Sequence, residues 1–327
     1  MVSVVHQADL YRPHQDPDDH WDLACQYALA KLARQTLQGI MMDFPYAGGP
    51  GDPDICAIAQ MNTICGFNVP YGIGAKAGEN ASAAANLLLS VLENSSEPVV
   101  VHLAGSCVDV ALALQARPDL FERHCAALYL HAGAAQDDRQ LEYNVALAPW
   151  AYTRVHAAPC PVYWLPCFHR VPDWGKEDMQ VGKHGTFYRF VQGDILRNLP
   201  KRVQNYFLYI FTEDTNPRYL QALEQPVAEK ALERYCAQAR NMWCTAGLLH
   251  AVGWAVDAQG KCVPIDSSGA IYHFIPVQVE CSENGRTRWR ECSEGESNSR
   301  LFTLRDVAAY PQAMTRAMQT ILRALEE

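Results

Sequence analysis

Short apolar runs alternate regularly with helical stretches through the first half of this chain, and this alternation limits the possible folds more than any other feature. The apolar runs lie at residues 2–5, 39–44, 98–103, 126–131 and 161–165. The helical stretches lie at residues 23–30, 55–64, 83–92, 108–115 and 148–156. Continuous apolar strands separated by helices are typical of a parallel sheet covered on both faces. We therefore predict an α/β fold with a mostly parallel central sheet flanked by helices.

The second half of the chain has a less regular pattern. We interpret the polar and aromatic residues 173–199 as a possible insertion, followed by a helical region to about Val252. Residues 271–292 contain Asn284-Gly285 between two β-rich runs, which predicts a small C-terminal β-hairpin. An amphipathic helix is expected at residues 306–325.

Composition narrows the class of protein. The chain has 327 residues and a formal net charge of −9, so it has no basic footprint for nucleic acid or an anionic membrane. No apolar run approaches the length of a membrane span, and the first residues lack the pattern of a signal peptide. The twelve cysteines form no Cys-x-x-Cys pair, so we expect reduced, mostly buried thiols. We interpret residues 1–327 as a single cytoplasmic domain without nucleic-acid or membrane partners.

Carboxylates are concentrated where the first predicted strand gives way to the first helix. Asp9 follows the strand, and residues 16–22 read Asp-Pro-Asp-Asp-His-Trp-Asp at the start of the helix. Carboxylates this close repel one another unless a cation or a helix dipole offsets them. Oxygen-rich clusters suit a hard cation such as Ca²⁺ or Mg²⁺. The alternative is that these side chains merely cap the helix and face water, and spacing alone does not decide between the two.

Several other polar or small residues follow predicted strands. In open parallel sheets, the functional site forms outside the carboxyl ends of the strands. Asp9, Asp43, Gly105 and His131 each follow or end a strand, so we expect them near one mouth. No Gly-x-Gly-x-x-Gly follows the first strand and no Gly-Lys-Ser/Thr loop occurs, so a dinucleotide or P-loop site is not indicated.

The order of these motifs resembles a known family. After Asp9 and the Asp-Pro-Asp-Asp run come Val101-His102-Leu103-Ala104-Gly105-Ser106-Cys107-Val108, Pro118-Asp119-Leu120-Phe121 and Glu142-Tyr143-Asn144. Together they resemble, over roughly residues 1–167, the nucleoside hydrolase superfamily of Ca²⁺-using N-ribosyl hydrolases. The aspartate run is closest to the divergent Asp-Pro-Asp-Asp branch of that superfamily.

The resemblance implies a metal site and a sugar site. It implies Ca²⁺ as the cofactor and Asp9 as both metal ligand and general base. Further carboxylate ligands would be Asp18 or Asp19, with Asp16 as the substitute if the loop has another register, and the main-chain carbonyl of Val108 would also bind the metal. Residues implied to bind substrate are Asp43, Glu142, Asn144 and Asn241. The substrate would be a nucleoside or sugar, and a homo-oligomer is expected because family members often form dimers or tetramers.

The implied reaction is hydrolysis of an N-glycosidic bond through an oxocarbenium-like transition state. His184 is a candidate leaving-group acid, although its position in a loop-like segment favours an ordinary surface histidine. Residues 240–250 lack the His-Asp pair that family enzymes carry near this position, which favours a rival hypothesis: a non-catalytic nucleoside or sugar binder that has lost its acid. A third hypothesis is a hydrolase of another glycoside with a carboxylate as the acid.

Overall fold

The computed structural model describes residues 1–11, 16–44, 52–76, 78–136 and 139–326. Its strands are β1 (Val2–Ala8), β2 (Gln35–Met42), β3 (Tyr71–Ile73), β4 (Val99–Ala104), β5 (Cys125–His131), β6 (Ala134–Gln136), β7 (Val162–Trp164), β8 (Phe168–Arg170), β9 (Tyr188–Val191), β10 (Ala239–Met242), β11 (Trp254–Val256), β12 (Cys262–Pro264), β13 (Tyr272–Cys281), β14 (Thr287–Glu291) and β15 (Ser299–Leu304).

Helices make up most of the remaining regular structure. They are α1 (Pro17–Lys31), α2 (Pro53–Cys65), α3 (Ala83–Asn94), α4 (Val108–Ala116), α5 (Pro118–His124), α6 (Tyr143–Leu147), α7 (Pro149–His156), α8 (Gly193–Leu196), α9 (Lys201–Phe211), α10 (Tyr219–Ala222), α11 (Glu229–Cys236), α12 (Thr245–Ala251) and α13 (Tyr310–Leu322). A short 3₁₀ turn, Arg323–Glu326, follows α13.

The central sheet is nine-stranded, in the order β14-β13-β15-β7-β5-β4-β1-β2-β3. From β3 to β15 the neighbouring strands are parallel, and β13 and β14 run antiparallel at one edge. The first five predicted strands correspond to β1, β2, β4, β5 and β7. The predicted α/β class and the mostly parallel sheet are therefore confirmed.

Helices cover both faces of the sheet. One hydrophobic core joins the sheet to α1, α2, α9, α12 and α13. The other joins it to α3, α4, α5 and α7. Strands β1, β4 and β5, at the centre of the sheet, are buried along nearly their whole length, so helices shield both faces there. No helix in the described ranges combines the length and apolar character needed to cross a membrane.

The first helix begins within the acidic run, as the sequence indicated. It starts at Pro17, a residue that suits the first helical position because that position needs no hydrogen-bond donor. The N–H of Asp16 donates to the carbonyl of Leu10 at 2.8 Å, which closes the loop that follows β1. This closure brings the acidic start of α1 back beside Asp9.

The predicted hairpin is present as β13 and β14, which pair antiparallel on either side of Asn284-Gly285. Strand β13 also pairs with β15, so the hairpin extends the central sheet rather than standing apart from it. The twelve cysteines are free, and all except Cys262, Cys281 and Cys292 are buried, as the sequence indicated.

The predicted helical region up to Val252 is only partly correct. Strand β10 interrupts it and pairs antiparallel with β9, which lies within residues 173–199. Its short run, Ala-Arg-Asn-Met, gains ladder hydrogen bonds from this distant partner, and local sequence pattern does not reveal such pairing. His14, which precedes the acidic run, and the Gly- and Pro-containing residues 47–51 lie outside the described residues.

A row of buried histidines crosses the sheet on the face that α1 covers. His6 and His102 are register partners on β1 and β4, with ring centroids 6.2 Å apart, and His131 lies 5.8 Å beyond His102. Neither ring nitrogen of His102 has a hydrogen-bond partner among the described residues. Burial, with smaller contributions from the other two histidines, lowers the pKa of His102 well below its usual value. The buried ring is therefore neutral at pH 7.

We expect His102→Leu to lose less stability on acidification than the wild-type protein. Below about pH 6.5 the unfolded chain takes up a proton at His102, whereas the folded chain does not. The free energy of unfolding therefore falls by about 1.4 kcal/mol for each pH unit of acidification because of this residue. Urea unfolding at pH 7 and pH 5 should give a pH-dependent loss about 2 kcal/mol smaller in the variant. Equal losses in the two proteins would contradict this account.

Candidate functional site

A cavity of about 570 Å³ opens at the carboxyl ends of the strands. Its size suits a small organic ligand. The sequence-predicted residues that line it are Asp9, Asp16, Asp18, Asp19, Glu142, Asn144 and Asn241. Gly105 and His131, which the sequence placed near the same mouth, line it too. The predicted residues Asp43, Val108 and His184 are not among its lining residues.

Asp9, Asp16, Asp18 and Asp19 form one side of the cavity, here called the carboxylate wall. The N–H of Asp9 donates to Oδ2 of Asp19 at 2.8 Å, and this bond ties the end of β1 to the start of α1. Asp9 and Asp19 are each 3% exposed and Asp18 is 8% exposed. Asp16 makes no side-chain hydrogen bond that caps the helix. Asp9, Asp18 and Asp19 are therefore buried together, with Asp16 half-buried beside them, and they do not simply cap α1 and face water.

The carboxylate wall is electrostatically unfavourable by itself. Burial raises the pKa of Asp9 well above its usual range, and the nearby carboxylates of Asp19 and Asp16 raise it further. The pKa of Asp18 is raised by burial and then by Asp16. Arg240 is the only lysine or arginine among the described residues that line the cavity. An all-oxygen donor set with so little compensating charge fits a hard divalent cation.

Asp43 lies behind the cavity rather than in it. Its carboxylate accepts hydrogen bonds from the N–H of Ser106 at 2.6 Å, from Oγ of Ser106 at 2.7 Å and from Nε2 of Gln7 at 3.1 Å. Burial, followed by the charge of Asp109, raises the pKa of Asp43 to about 7. Gly105 separates Asp43 from Asp9, so Asp43 is placed to hold the turn after β4.

Glu142 and Asn144 lie at the start of α6. The carboxylate of Glu142 accepts hydrogen bonds from the N–H groups of Gly133 (2.9 Å), Asn144 (3.0 Å) and Val145 (3.3 Å), so it caps the helix while lining the cavity. Oδ1 of Asn144 is buried and has no partner among the described residues. Because unpaired buried acceptors are costly, this oxygen is suited to accept a hydrogen bond from a ligand hydroxyl.

Aromatic side chains form another side of the cavity. Phe168, Trp174 and Trp243 line it, and the ring of Phe168 lies 5.8 Å from Trp174 and 5.9 Å from Trp243. Nearby, Oδ1 of Asn241 accepts a hydrogen bond from Nε of Arg189 at 2.8 Å. This aromatic wall offers flat apolar surface of the kind on which a planar heterocycle stacks.

The cavity floor includes His131. This residue is 2% exposed, and neither of its ring nitrogens has a partner in the described part of the chain. Burial lowers its pKa to about 3, so the neutral ring offers one donor and one acceptor to a ligand. Gly247 makes room for it, because a Cβ atom there would lie 2.3 Å from Cε1 of His131.

Two sequence-predicted residues lie in other surroundings. Val108 is the first residue of α4 and lines a separate surface pocket with Phe44 and Lys76. His184 is buried, and its Nδ1 lies 3.1 Å from Oγ1 of Thr303 on β15. The ring of His184 packs against Trp289, 5.2 Å away. The His184 side chain is therefore not brought to the carboxylate wall, and the metal-binding role implied for the main-chain carbonyl of Val108 stays a prediction.

The sequence reasoning assigned no site role to several residues of this region. Arg240 and Cys244 line the cavity, and Asp22 lies behind Asp19 on the same face of α1. The i,i+3 spacing of Asp19 and Asp22 was a usable signal, because residues three apart share a helix face. Arg240 and Cys244 gave no local signal, since β10 and the turn after it reach the cavity through long-range packing.

No protein-family model matches the sequence, and a comparison with curated proteins also finds no match. Solved structures of nucleoside hydrolases do match the fold. A purine-preferring ribonucleoside hydrolase from Gardnerella vaginalis aligns with a TM-score of 0.56 and 13% identity, covering 98% of this chain and 99% of that chain. An inosine-guanosine nucleoside hydrolase aligns with a TM-score of 0.56 and 15% sequence identity, and the alignment covers 99% of each chain. A plant nucleoside hydrolase aligns with a TM-score of 0.56 and 11% sequence identity, and the alignment covers 98% of each chain. The chain therefore has a nucleoside hydrolase-like fold.

We expect Gly105→Ala to destabilise the protein and to disturb the carboxylate wall. The φ angle of Gly105 is +116°, and an added Cβ atom would lie 2.6 Å from Oδ2 of Asp43 and 3.4 Å from Cβ of Asp9. Backbone strain and crowding together should lower the free energy of unfolding by about 2–4 kcal/mol. Chemical unfolding measures this loss.

The matched control is Gly66→Ala. Gly66 also has a positive φ, +68°, but nothing lies within 4 Å of its added Cβ atom. This control should cost only the strain of the left-handed backbone, about 1 kcal/mol. Equal losses in the two variants would contradict the close approach of Asp43 and Asp9 at Gly105.

Proposed function

We propose that this protein hydrolyses the N-glycosidic bond of a ribonucleoside or a related ribosyl compound. The observation that carries the proposal is the pairing, in one cavity, of the carboxylate wall with the aromatic wall. The nucleoside hydrolase-like fold supports it, because the cavity lies at the strand ends of that fold. The polar end suits a sugar and the aromatic side suits a nucleobase.

Asp9 is the proposed general base. It ends β1, lines the cavity and is held by the hydrogen bond from its N–H to Asp19. A carboxylate here can take a proton from a water molecule as that water attacks the anomeric carbon. Departure of the base leaves positive charge on the sugar ring, and the neighbouring carboxylates would stabilise that charge.

A divalent cation held by Asp9, Asp16, Asp18 and Asp19 would favour ionised Asp9, make a nearby water more acidic and orient sugar hydroxyls, and Ca²⁺ is the ion implied by the sequence resemblance. Oδ1 of Asn144 would accept a hydrogen bond from a sugar hydroxyl. The Glu142 carboxylate would accept further hydrogen bonds from the sugar hydroxyls, through the lone pairs that its helix-capping bonds leave free.

The leaving base would lie against Phe168, Trp174 and Trp243. Nε1 of Trp243 has no hydrogen-bond partner among the described residues, so it can donate to an acceptor on the base. His131 can offer a second polar contact from the floor. We assign no proton transfer to His184, because its hydrogen bond to Thr303 and its packing on Trp289 hold it among residues outside the cavity.

We expect the purified protein to release free base from ribonucleosides and Asp9→Asn to abolish this release. Loss of a general base costs about 10²–10⁴-fold in rate. Separation of base from nucleoside by chromatography measures the reaction over a panel of purine and pyrimidine ribonucleosides. Retention of wild-type activity by Asp9→Asn would contradict the assigned role.

The matched control is Asp109→Asn. Asp109 is another fully buried carboxylate near the strand ends, but it accepts its hydrogen bonds from the N–H of Ala75 and Oγ of Ser82 and does not line the cavity. Its variant should keep activity within about tenfold of the wild type, because only a structural hydrogen bond is weakened.

The rival function is non-catalytic binding of a nucleoside or sugar. The described residues that line the cavity include no histidine except His131, and burial keeps that ring neutral. Calorimetric titration of the same nucleosides separates the two functions. Binding without base release, in protein supplied with Ca²⁺, would favour the rival and contradict the proposed hydrolase.

A further inference from the structure

Behind the carboxylate wall, a second group of donors combines oxygen with sulfur. Asp19, Asp22 and Cys244 each present one potential ligand atom, and these atoms all lie within 4.8 Å of one another. All three residues are buried. Among the described residues, this is the one place where three carboxylate, imidazole or thiol groups converge so closely.

Asp22 gives an independent indication that this group holds a ligand. The residue is 0% exposed, and neither carboxylate oxygen has a hydrogen-bond partner in the described part of the chain. The thiol and the N–H of Cys244 face the Asp22 carboxylate as weak donors, but neither reaches full hydrogen-bonding geometry. A fully buried carboxyl group without partners is costly, and a coordinated cation would satisfy both of its oxygens.

The elements that carry these residues hold them together. Asp19 and Asp22 lie one turn apart on α1, and Cys244 immediately precedes α12, which packs against α1. Asp19 and Cys244 also line the cavity, so an ion can reach the group from that side. A position formed by one helix and the first residue before a second, packed helix is more rigid than one formed by a loop alone.

We propose that Asp19, Asp22 and Cys244 bind a thiophilic divalent cation of the Zn²⁺ or Co²⁺ class. Ca²⁺ takes six to eight oxygen ligands, whereas Zn²⁺ accepts thiolate and carboxylate ligands in a four-coordinate shell. Three protein ligands leave the fourth position open toward the cavity, because two of the three residues line it. The position is separate from the all-oxygen carboxylate wall, although Asp19 belongs to both.

This inference does not rest on the proposed hydrolysis, because metal binding is measured without turnover. The test is titration of Co²⁺ into chelator-treated full-length protein, with the near-ultraviolet charge-transfer band of a cobalt–thiolate bond as the readout. We expect a band that saturates at one Co²⁺ per chain, disappears when Zn²⁺ is added and persists when the same concentration of Ca²⁺ is added.

Two cysteines of the same cavity provide a matched pair of variants. Cys244→Ser should lose the band, whereas Cys167→Ser should keep it, because Cys167 lines the cavity but is not part of the group. Asp22→Asn should retain the band with Co²⁺ affinity lower by about tenfold or more, since even residues that only support metal ligands contribute that much. Circular dichroism of the metal-free variants checks that each is folded.

Three results would overturn the proposal. The first is Co²⁺ binding without a thiolate band, which would indicate an oxygen-only site. The second is a band that disappears in Cys167→Ser and survives in Cys244→Ser. The third is displacement of Co²⁺ by an equal concentration of Ca²⁺. Each is visible whether or not the protein hydrolyses nucleosides.

Discussion

The dominant constraint on this protein's site is that several mutually repelling carboxylates are held close together at the carboxyl edge of its sheet. Two like charges about 4 Å apart repel by about 1 kcal/mol in water and by about 4 kcal/mol near a protein surface. Asp9, Asp16, Asp18 and Asp19 are nevertheless held together by the loop closure between Leu10 and Asp16 and by the bond from Asp9 to Asp19. The folded chain therefore carries an unfavourable electrostatic energy at this position, and a bound cation would reduce it.

The surrounding structure supports this concentration of charge. Gly105 lets the turn after β4 pass between Asp9 and Asp43, and Ser106 uses both its N–H and its hydroxyl to hold Asp43 in place. The buried face of α1 continues this group inward to Asp22, a fifth carboxylate, and Cys244 adds a sulfur atom beside it. On the two proposals made above, the cavity would offer two chemically different positions for cations, one on its wall and one behind it.

The sequence predicted the sheet because its strands are apolar on both faces and its helices have ordinary lengths. It also predicted that Asp9, Gly105 and His131 would share one mouth, because parallel strands end on the same edge. It did not predict β10, whose four residues are fixed by pairing with β9 about fifty residues earlier in the chain. Arg240 and Cys244 depend on that pairing for their place in the cavity, so local pattern gave no indication of them.

The most direct test of the central claim is whether a divalent cation stabilises the chelator-treated protein. Thermal unfolding followed across a range of CaCl₂ concentrations, with NaCl of equal ionic strength as the reference, measures this. Because the carboxylate wall is assembled only in the folded chain, the midpoint should rise with concentration and reach about 5 °C above the reference at a hundred times the dissociation constant. A midpoint that stays at the reference value at every concentration would contradict a cation site at the carboxylate wall.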